Sequence, residues 1–529
     1  MKFGQQLFRS VSSLARVWSR TGIVAAATVL VLAACGQSPS IVLTLDAASA
    51  AVTRGSDVSV VVTLTRAGGA SADVSLAISG LPANVTAQFS PATLTGGTLS
   101  SILTISAAAA AVEGDYDVTV TGSGTGLVDS AELALDVTSL SVTGRVASLL
   151  EIPVPGASVR SQGDSAVTDA DGNFTLTGLS VPYDLAVWNQ ADEWVHIYEG
   201  LTATDLLVAP AATALPSVTS RSATVSGNLT GGVIPVAANQ VVMVCAEGTD
   251  GIAIGCDTVL PTESAYSLSA QWFGPTTRAV RIHALQFQRD ASGYPTDYLG
   301  YTTADLNLAD TVPAAANLDL GTAVSSVTVD VDVVSPVAIV ATIAALQIGP
   351  GLAIPVAQVS SPAITHQFAM PVIDGATYTF IAAVSIGQFG WQADVTSTTA
   401  TVEVPDTLQL TAPADLAPGV TTSTSFTTSA TSGPKTFMWN ANGGGLAIGL
   451  TTMSSTTTIP DITPYGLALP ANADFGWQAI GHGSDSTDDA TASLYDYYNF
   501  TLMLTLASPG LNGEGTVALS DSRGFTTAP

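Results

Sequence analysis

The sequence predicts an all-β protein built from tandem antiparallel β-sandwiches. Apolar residues alternate with polar ones over 58–64 and again over 74–78, with a glycine-containing turn between them. This period of two is typical of strands that bury one face, and the turn makes the pair a hairpin. The same rhythm of short strands and turns continues along the 529 residues, a length that holds several domains of about 100–150 residues. Sandwiches in series follow from these two observations.

The first 34 residues form a separate segment. Residues 1–22 carry Lys2, Arg9, Arg16 and Arg20 without an acidic residue, and an apolar run follows from Ile23 to Ala34. This layout is that of a secretory signal peptide. As a helix, the run would measure about 18 Å, which is short of the roughly 30 Å hydrocarbon core of a bilayer. A permanent transmembrane helix is therefore disfavoured.

The end of this run, Leu32-Ala33-Ala34-Cys35, resembles the lipobox of bacterial lipoproteins. The resemblance implies cleavage between Ala34 and Cys35, lipid attachment at Cys35, and a lipidated tether over 35–40. Two or three acyl chains hold a protein stably at a bilayer, whereas one anchors it marginally. The alternative is a cysteine that happens to follow an ordinary signal. The expected location is the bacterial cell envelope, facing the periplasm or the surface.

Charge excludes one class of function. The ten basic residues after Ala34, set against all 42 acidic residues, give that part of the chain a formal charge of −32, and Lys435 is its only lysine. A chain this acidic repels nucleic acid and anionic surfaces.

The longest uncharged stretch, 335–365, is interrupted by Gln347, Pro350 and Pro355. It therefore reads as buried strands and not as a membrane span.

Cys245 and Cys256 are the other two cysteines. They flank turn residues at 248–251, so a hairpin about that turn places them directly opposite each other. In an exported chain such a pair predicts one disulfide. A metal or redox role is disfavoured because the sequence has no CxxC motif and no nearby histidine pair.

Residues 41–138 contain "GLPANVTAQFSP" and, later, "EGDYDVTVTGSGTG". These motifs resemble the Ig-like repeats of bacterial surface proteins, with the matching positions Pro82, Phe89, Pro91, Gly114, Tyr116 and Gly122. Asn84 departs from the usual glycine. Tyr116 stands where a tyrosine corner would lie, with its ring packed and its hydroxyl bonded to the backbone. The implied roles are structural.

Residues 141–215 form the next predicted domain. "SVTGRV", "PVPGASV" and "TDADGNFTL" within 141–188 resemble the carboxypeptidase regulatory-like domain, a transthyretin-like β-sandwich without peptidase chemistry. Residues 222–324 begin like a divergent second copy that carries the disulfide hairpin. Residues 326–410 predict a sandwich of no family that we can name.

The last predicted domain spans 411–529. "TFMWNA" and "DFGWQA" resemble fibronectin type III, with Phe475 in place of the usual tyrosine. The expected fold classes are therefore Ig-like, transthyretin-like and fibronectin-like sandwiches.

Two acidic stretches raise the question of cation binding. In "DADGN", Asp169, Asp171 and Asn173 alternate as in a calcium loop, but an EF-hand would need glycine and glutamate where Phe174 and Ser180 stand. Asp-Gly turn chemistry explains this stretch without a metal. The second stretch joins His482 to acidic residues in a predicted loop, with the cation candidates His482, Asp485, Asp488 and Asp489. A solvated acidic loop is the favoured interpretation of this stretch, cation binding is the alternative, and no metal is assigned.

No catalytic constellation is visible in the sequence. The four histidines are His196, His283, His366 and His482, and none has a partner at metal-ligand spacing. His283 and His366 lie within alternating strands, which predicts surface positions or hydrogen-bonded core positions. No GxSxG motif occurs.

These observations predict a non-catalytic, lipid-anchored envelope protein whose sandwiches have structural or adhesive roles. It would contact the membrane through its lipid, need no cofactor, avoid nucleic acid, and contact an envelope glycan or protein. Its oligomeric state is left open. A carbohydrate-binding protein is the alternative, with Trp188, Trp194 and Tyr198 as candidates for exposed aromatic contacts. Packing of at least one of them in a core is equally expected. An enzyme is the third hypothesis and would need a site assembled across domains.

Overall fold

The computed structural model describes residues 38–148, 152–210, 219–248, 253–348, 352–384, 387–483, 486–491 and 514–529. Across these ranges the chain forms forty β-strands, one short α-helix and one 3₁₀ helix. The strands are arranged as pairs of facing sheets, so the predicted fold class is confirmed. No helix within these ranges is long and apolar enough to cross a bilayer. The predicted signal peptide, cleavage site and lipidated Cys35 lie outside the described residues.

The first domain contains nine strands. They are β1 Ser40–Leu45, β2 Ser49–Thr53, β3 Asp57–Ala67, β4 Val74–Ser79, β5 Val85–Ser90, β6 Thr93–Leu94, β7 Ser100–Ala107, β8 Gly114–Gly124 and β9 Leu127–Thr138. One sheet has the order β1-β3-β7-β5 and the other the order β2-β9-β8-β4-β6. This division corresponds to the ABED and CFG sheets of an Ig sandwich. The Tyr116 hydroxyl donates to the Val112 carbonyl at 3.0 Å, which confirms the predicted backbone bond.

The second domain contains seven strands. They are β10 Leu140–Val146, β11 Ser158–Ser161, β12 Asp164–Val167, β13 Asn173–Leu179, β14 Tyr183–Asn189, β15 Trp194–Leu201 and β16 Asp205–Val208. The first strand lies between the fourth and the last in one sheet, β13-β10-β16. The facing sheet runs third, second, fifth, sixth, as β12-β11-β14-β15.

The third domain repeats this order. Its strands are β17 Ser220–Thr230, β18 Gln240–Gly248, β19 Ala253–Val259, β20 Ala265–Phe273, β21 Thr277–Arg289, β22 Pro295–Ala309, β23 Ala314–Ala315 and β24 Leu318–Asp319. Its sheets are β20-β17-β23, with β24 also paired to β17, and β19-β18-β21-β22. The second and third domains, which resemble each other in sequence, therefore also have the same strand order.

The fourth domain has the same strand order, which the sequence did not reveal. Its strands are β25 Ser326–Val334, β26 Ile339–Ile348, β27 Leu352–Val359, β28 Thr365–Pro371, β29 Ala376–Val384, β30 Gln388–Val395 and β31 Thr399–Glu403. The sheets are β28-β25-β31 and β27-β26-β29-β30. β26 and β29 are buried on both faces over most of their length, so they read as continuous apolar runs and lose the period of two.

The fifth domain is built differently. Its strands are β32 Leu410–Ala412, β33 Ala417–Val420, β34 Ser425–Thr428, β35 Lys435–Ala441, β36 Ala447–Thr452, β37 Thr456–Thr458, β38 Asp474–His482, β39 Glu514–Leu519 and β40 Arg523–Thr527. The 3₁₀ helix is Thr463–Tyr465 and the α-helix, α1, is Thr487–Ala490. β32-β34-β37 face a sheet in which β36, β35 and β38 are consecutive. Trp439 and Trp477 fill the core, each edge-on to Phe426.

Parallel pairing closes each domain, whose other internal strand pairs are antiparallel. The last strand pairs in parallel with the first or second strand of its domain: β2 with β9, β10 with β16, β17 with β23 and β24, β25 with β31, and β33 with β40. Because parallel neighbours start at the same end, the chain enters and leaves each domain at opposite ends.

Candidate functional site at the domain junctions

A single sheet of fourteen strands joins three of the domains. β15 of the second domain pairs in parallel with β36 of the fifth, and β39 of the fifth pairs antiparallel with β30 of the fourth. The fifth domain therefore folds back and lies between the second and the fourth. The sequence predicted sandwiches arranged one after another in series, and the structure differs from that expectation. Two sheet edges that would otherwise face solvent are each continued by a strand of another domain.

The junction of the second and fifth domains uses both faces of β15. Val195 belongs to the core of the fifth domain, whereas Trp194 and Tyr198 belong to the core of the second. The Ala447 amide donates to the Glu193 carbonyl at 3.0 Å, and Gln190 Nε2 donates to the Gly466 carbonyl at 3.1 Å. β15 is thus an interior strand that both domains share.

The aromatic candidates for a carbohydrate platform do not lie together at the surface. Trp194 is 1% exposed and Tyr198 is 0% exposed, since both point into the core of the second domain. Trp188 is partly buried, and its ring centroid lies 5.0 Å from that of Tyr465 in the fifth domain. The three rings therefore do not form an exposed flat surface, and Trp194 and Tyr198 occupy the core positions that were the alternative expectation. Their role is to pack the domains.

Two histidines are linked across this junction by two threonines. His196 Nε2 lies 2.8 Å from Thr451 Oγ1, which lies 2.8 Å from Thr436 Oγ1, which in turn lies 2.8 Å from His482 Nε2. β15, β36, β35 and β38 each contribute one member, and all four are buried. Burial lowers the pKa of both imidazoles to about 3, and for His196 the nearby His482 adds to this effect. Both histidines are neutral at pH 7.

The candidate cation cluster is not assembled by the residues that the structure describes. Asp488 turns to the second domain, where it accepts from the Thr202 amide at 2.8 Å and the Ala203 amide at 3.1 Å. Asp489 accepts from the Ser486 hydroxyl at 2.7 Å at the start of α1. His482 Nε2 lies 2.8 Å from Thr436 Oγ1, so the described side chains of His482, Asp488 and Asp489 each contact different partners. Asp485 lies outside the described residues.

In the "DADGN" stretch, the carboxylate of Asp169 accepts hydrogen bonds from the backbone of its own turn. Asp169 Oδ1 accepts from the amides of Asp171 at 2.9 Å and Asn173 at 2.8 Å, and these bonds hold the pKa of Asp169 below its usual value. This is the turn chemistry that the sequence favoured. Across the described ranges, no group of three or more His, Cys, Asp or Glu side chains could hold a metal ion.

The third and fourth domains share a core on the face of β18 and β21 that carries Cys245, Leu285 and Phe287. Polar contacts cross this junction as well. The Tyr298 hydroxyl donates to the Ala369 carbonyl at 2.8 Å, and Arg289 Nε donates to the Val356 carbonyl at 3.0 Å. The two domains therefore pack as one hydrophobic unit.

Both histidines of these domains are buried and hydrogen-bonded. His366 Nδ1 lies 2.7 Å from the Tyr294 hydroxyl of the third domain, and burial lowers the pKa of His366. His283 lies 2.9 Å from the Tyr301 hydroxyl and 3.2 Å from a carboxylate oxygen of Glu247. Of the two positions that the sequence allowed, surface or hydrogen-bonded core, His283 and His366 both occupy the second.

The predicted disulfide between Cys245 and Cys256 is present. The two cysteines are directly opposed on β18 and β19, and Cys245 faces the core shared with the fourth domain. The bond therefore fastens the edge strand β19 beside the junction.

Replacing both cysteines by alanine should destabilise the third domain by about 3 kcal/mol, since the bond closes a loop of sequence separation 11. Calorimetry without reductant would measure this as a lower Tm. The control is wild-type protein that is thermally unfolded in the presence of reductant. Its Tm should approach that of the variant. Equal Tm values for oxidised wild type and variant would contradict a stabilising role.

Arg54 ties the first domain to the second. Its side chain donates to the Ala109 carbonyl at 2.9 Å and contacts Glu113 at 3.0 Å within the first domain, and reaches the Gly178 carbonyl of the second at 3.1 Å. The Val181 amide returns a bond to the Arg54 carbonyl at 3.1 Å. The orientation of the two domains is thereby fixed by charge-assisted and backbone hydrogen bonds.

Sequence reasoning missed the junctions because its rules treat one domain at a time. One signal was available in "WVHIYE" of β15, where consecutive apolar and aromatic residues leave no polar face. Such a strand is covered on both sides. It could have been recognised as interior before its partner in the fifth domain was known.

Comparisons with known proteins find only distant similarity. No protein-family model matches the sequence, so the family resemblances stay predictions, and no curated protein matches it. Domains 4 and 5 of the S-layer protein SbsC are 17% identical over 18% of this chain, which spans half the length of that structure, with a TM-score of 0.15. The Bacillus anthracis TIE protein is 9% identical over 69% of this chain and 74% of its own, with a TM-score of 0.20. The fimbrial anchor protein Mfa2 from Porphyromonas gingivalis is 14% identical over 32% of this chain and 77% of its own, with a TM-score of 0.15. TM-scores this low do not establish a shared arrangement of domains.

Proposed function

We propose that this chain is a non-catalytic, lipid-anchored protein of the bacterial cell envelope whose β-sandwiches serve a structural or adhesive role. The observation that carries the proposal is that the histidine side chains and Lys435 are buried and hydrogen-bonded inside the protein. All four histidines are buried in hydrogen-bonded positions, and Lys435 is buried with its ammonium group on the carbonyls of Thr431 and Gly433. Of these groups, His196 and His366 bond across domain junctions, and the others bond within their own domains. Buried groups of this kind are not presented to a substrate.

The closing parallel pairs support a structural role. A pull on the two ends of a domain acts along its first and last strands in opposite directions. Where these strands are parallel neighbours, as β10 and β16 are, the force loads their hydrogen bonds together. This arrangement suits a protein that spans a distance between an anchor and a partner.

The strand orders support a refined family assignment. We assign the first domain to the Ig-like repeats, the second and third to regulatory-like sandwiches, and the fifth to fibronectin-like sandwiches. The fourth joins the regulatory-like group, because its strand order equals that of the second and third. Partners are the membrane, through the lipid, and an envelope protein or glycan; the acidic chain disfavours nucleic acid.

The anchor has a direct test. Cells that express the full-length chain should incorporate labelled palmitate into the wild type and not into Cys35→Ala, because the thiol is the attachment point. The variant should also leave the membrane fraction. Cys256→Ala is the matched control, since it removes another cysteine and should keep the label. Equal labelling of wild type and Cys35→Ala would overturn the lipid-anchor proposal.

A further inference from the structure

The hydrogen-bonded chain His196–Thr451–Thr436–His482 admits a limited number of protons. Its three bonds need three hydrogens, and the two hydroxyl groups supply two of them. One imidazole must therefore donate through Nε2. When the other accepts at Nε2, both hydroxyl protons lie within the chain and it is fully ordered. The two neutral histidines then have opposite roles, one as donor and one as acceptor.

Adding a proton disrupts this order. If the accepting imidazole is protonated, both Nε2 atoms donate into the chain, and four hydrogens compete for three bonds. One hydroxyl must then turn to another acceptor inside a tightly packed junction. The added charge is also buried, because His196 is 0% exposed and His482 is 2% exposed. Protonation is opposed by both hydrogen bonding and desolvation.

We propose that the chain of His196, Thr451, Thr436 and His482 is an acid-sensitive clasp between the second and fifth domains. It holds β15 against β36 while both histidines are neutral, and it releases the pairing when the surroundings become acidic. The clasp lies where two domains distant in sequence meet, so its release lets the fifth domain separate from the second without unfolding the first.

The direction of the pH dependence follows from the folded and open states. An exposed histidine has a pKa of about 6.5, whereas burial lowers the pKa of His196 and His482 to about 3. Above pH 6.5 both states are neutral and the clasp keeps its full stability. As the pH falls from about 6.5 towards 3, only the open state takes up protons, and the closed state is progressively disfavoured. Each histidine changes the ratio of open to closed molecules by up to about tenfold per pH unit.

Other titratable groups lie on the elements that surround the two histidines. They are Tyr183 and Asp184 on β14, Glu193 before β15, Tyr198 and Glu199 on β15, Lys435 on β35, Asp474 on β38, and Asp488 and Asp489 on α1. The Tyr198 ring stacks on His196 with centroids 4.2 Å apart, Asp184 accepts from the Gly200 amide, and Asp488 accepts from Thr202. Unlike the side chains of this set, His196 and His482 have an unfolded pKa between 5 and 8.

Hydrogen exchange of the full-length chain from pH 7 to pH 4 tests the clasp. After correction for intrinsic exchange rates, protection of amides in β15 and β36 should fall by up to about a hundredfold per pH unit below pH 6. Amides of β8 and β9 in the first domain should keep their protection over the same range and report global unfolding. Equal loss in β15, β36, β8 and β9 would overturn the proposal.

Variants separate the clasp from general acid sensitivity. His196→Gln and His482→Gln keep a polar group near the position of Nε2 without a titrating ring, so each should reduce the slope in β15 and β36 to at most tenfold per pH unit. His283→Gln is the matched control, because that histidine lies in the third domain beside Glu247, and should keep the wild-type slope. An unchanged slope in both clasp variants would contradict the assignment. If either fails to fold, the wild-type comparison of β15 with β8 still decides the question.

Discussion

Replacing Gly449 by alanine should weaken the attachment of the second domain to the fifth at neutral pH. A Cβ at this position would lie 2.6 Å from Nδ1, 2.8 Å from Cγ and 2.9 Å from Cε1 of His196. The imidazole cannot easily move, because it is buried, stacked on Tyr198 and bonded to Thr451. Overpacking of this kind costs about 1–3 kcal/mol. That loss should appear as faster hydrogen exchange in β15 and β36.

Gly476→Ala is the matched control for this change. Gly476 is also a strand glycine of the fifth domain, but the nearest atom to its Cβ position is 3.7 Å away, on the Asn442 side chain. Exchange in β15 should therefore be unchanged in Gly476→Ala. If Gly449→Ala also leaves the protection of β15 unchanged, the close packing of His196 against β36 does not hold the domains together.

Sequence patterns predicted the features that depend on residues close together in the chain. The period of two located the strands of the first domain, because those strands bury one face and expose the other. The opposed positions of Cys245 and Cys256 followed from the hairpin turn between them. Both predictions depend on neighbours in the sequence, and both are confirmed by the structure.

The candidate sites failed where the deciding contact is distant in sequence. Val195 lies on the other face of β15 from Trp194 and Tyr198 and belongs to the core of the fifth domain, because β36, about 250 residues later, continues the sheet beyond β15. His482 was placed in an acidic loop, whereas it ends β38 and bonds to Thr436. Short-range spacing contains no information on which edges of separate sandwiches will meet. A strand that lacks a polar face, such as β15, is the part of this arrangement that the sequence does record.

The junction of the first and second domains depends on a glycine in a similar way. Gly55 adopts φ +85°, and a Cβ there would lie 1.8 Å from the Val181 carbonyl oxygen. That oxygen belongs to backbone, next to the amide that donates to the Arg54 carbonyl, so it cannot rotate away as a side chain would. Gly55→Ala should therefore separate the two domains and break the bonds that Arg54 makes to Gly178 and Val181. The expected result is loss of protection of the Val181 amide in hydrogen exchange.

The backbone conformation alone cannot produce this effect, and a second glycine shows why. Gly69 has φ +77°, but no atom lies within 4 Å of its Cβ position. Gly69→Ala should cost the first domain about 1 kcal/mol, since alanine is strained in this region. It should leave the Val181 amide protected. If both variants expose Val181 equally, destabilisation of the first domain explains the result; if only Gly55→Ala does, close approach of Gly55 to Val181 fixes the orientation of the two domains.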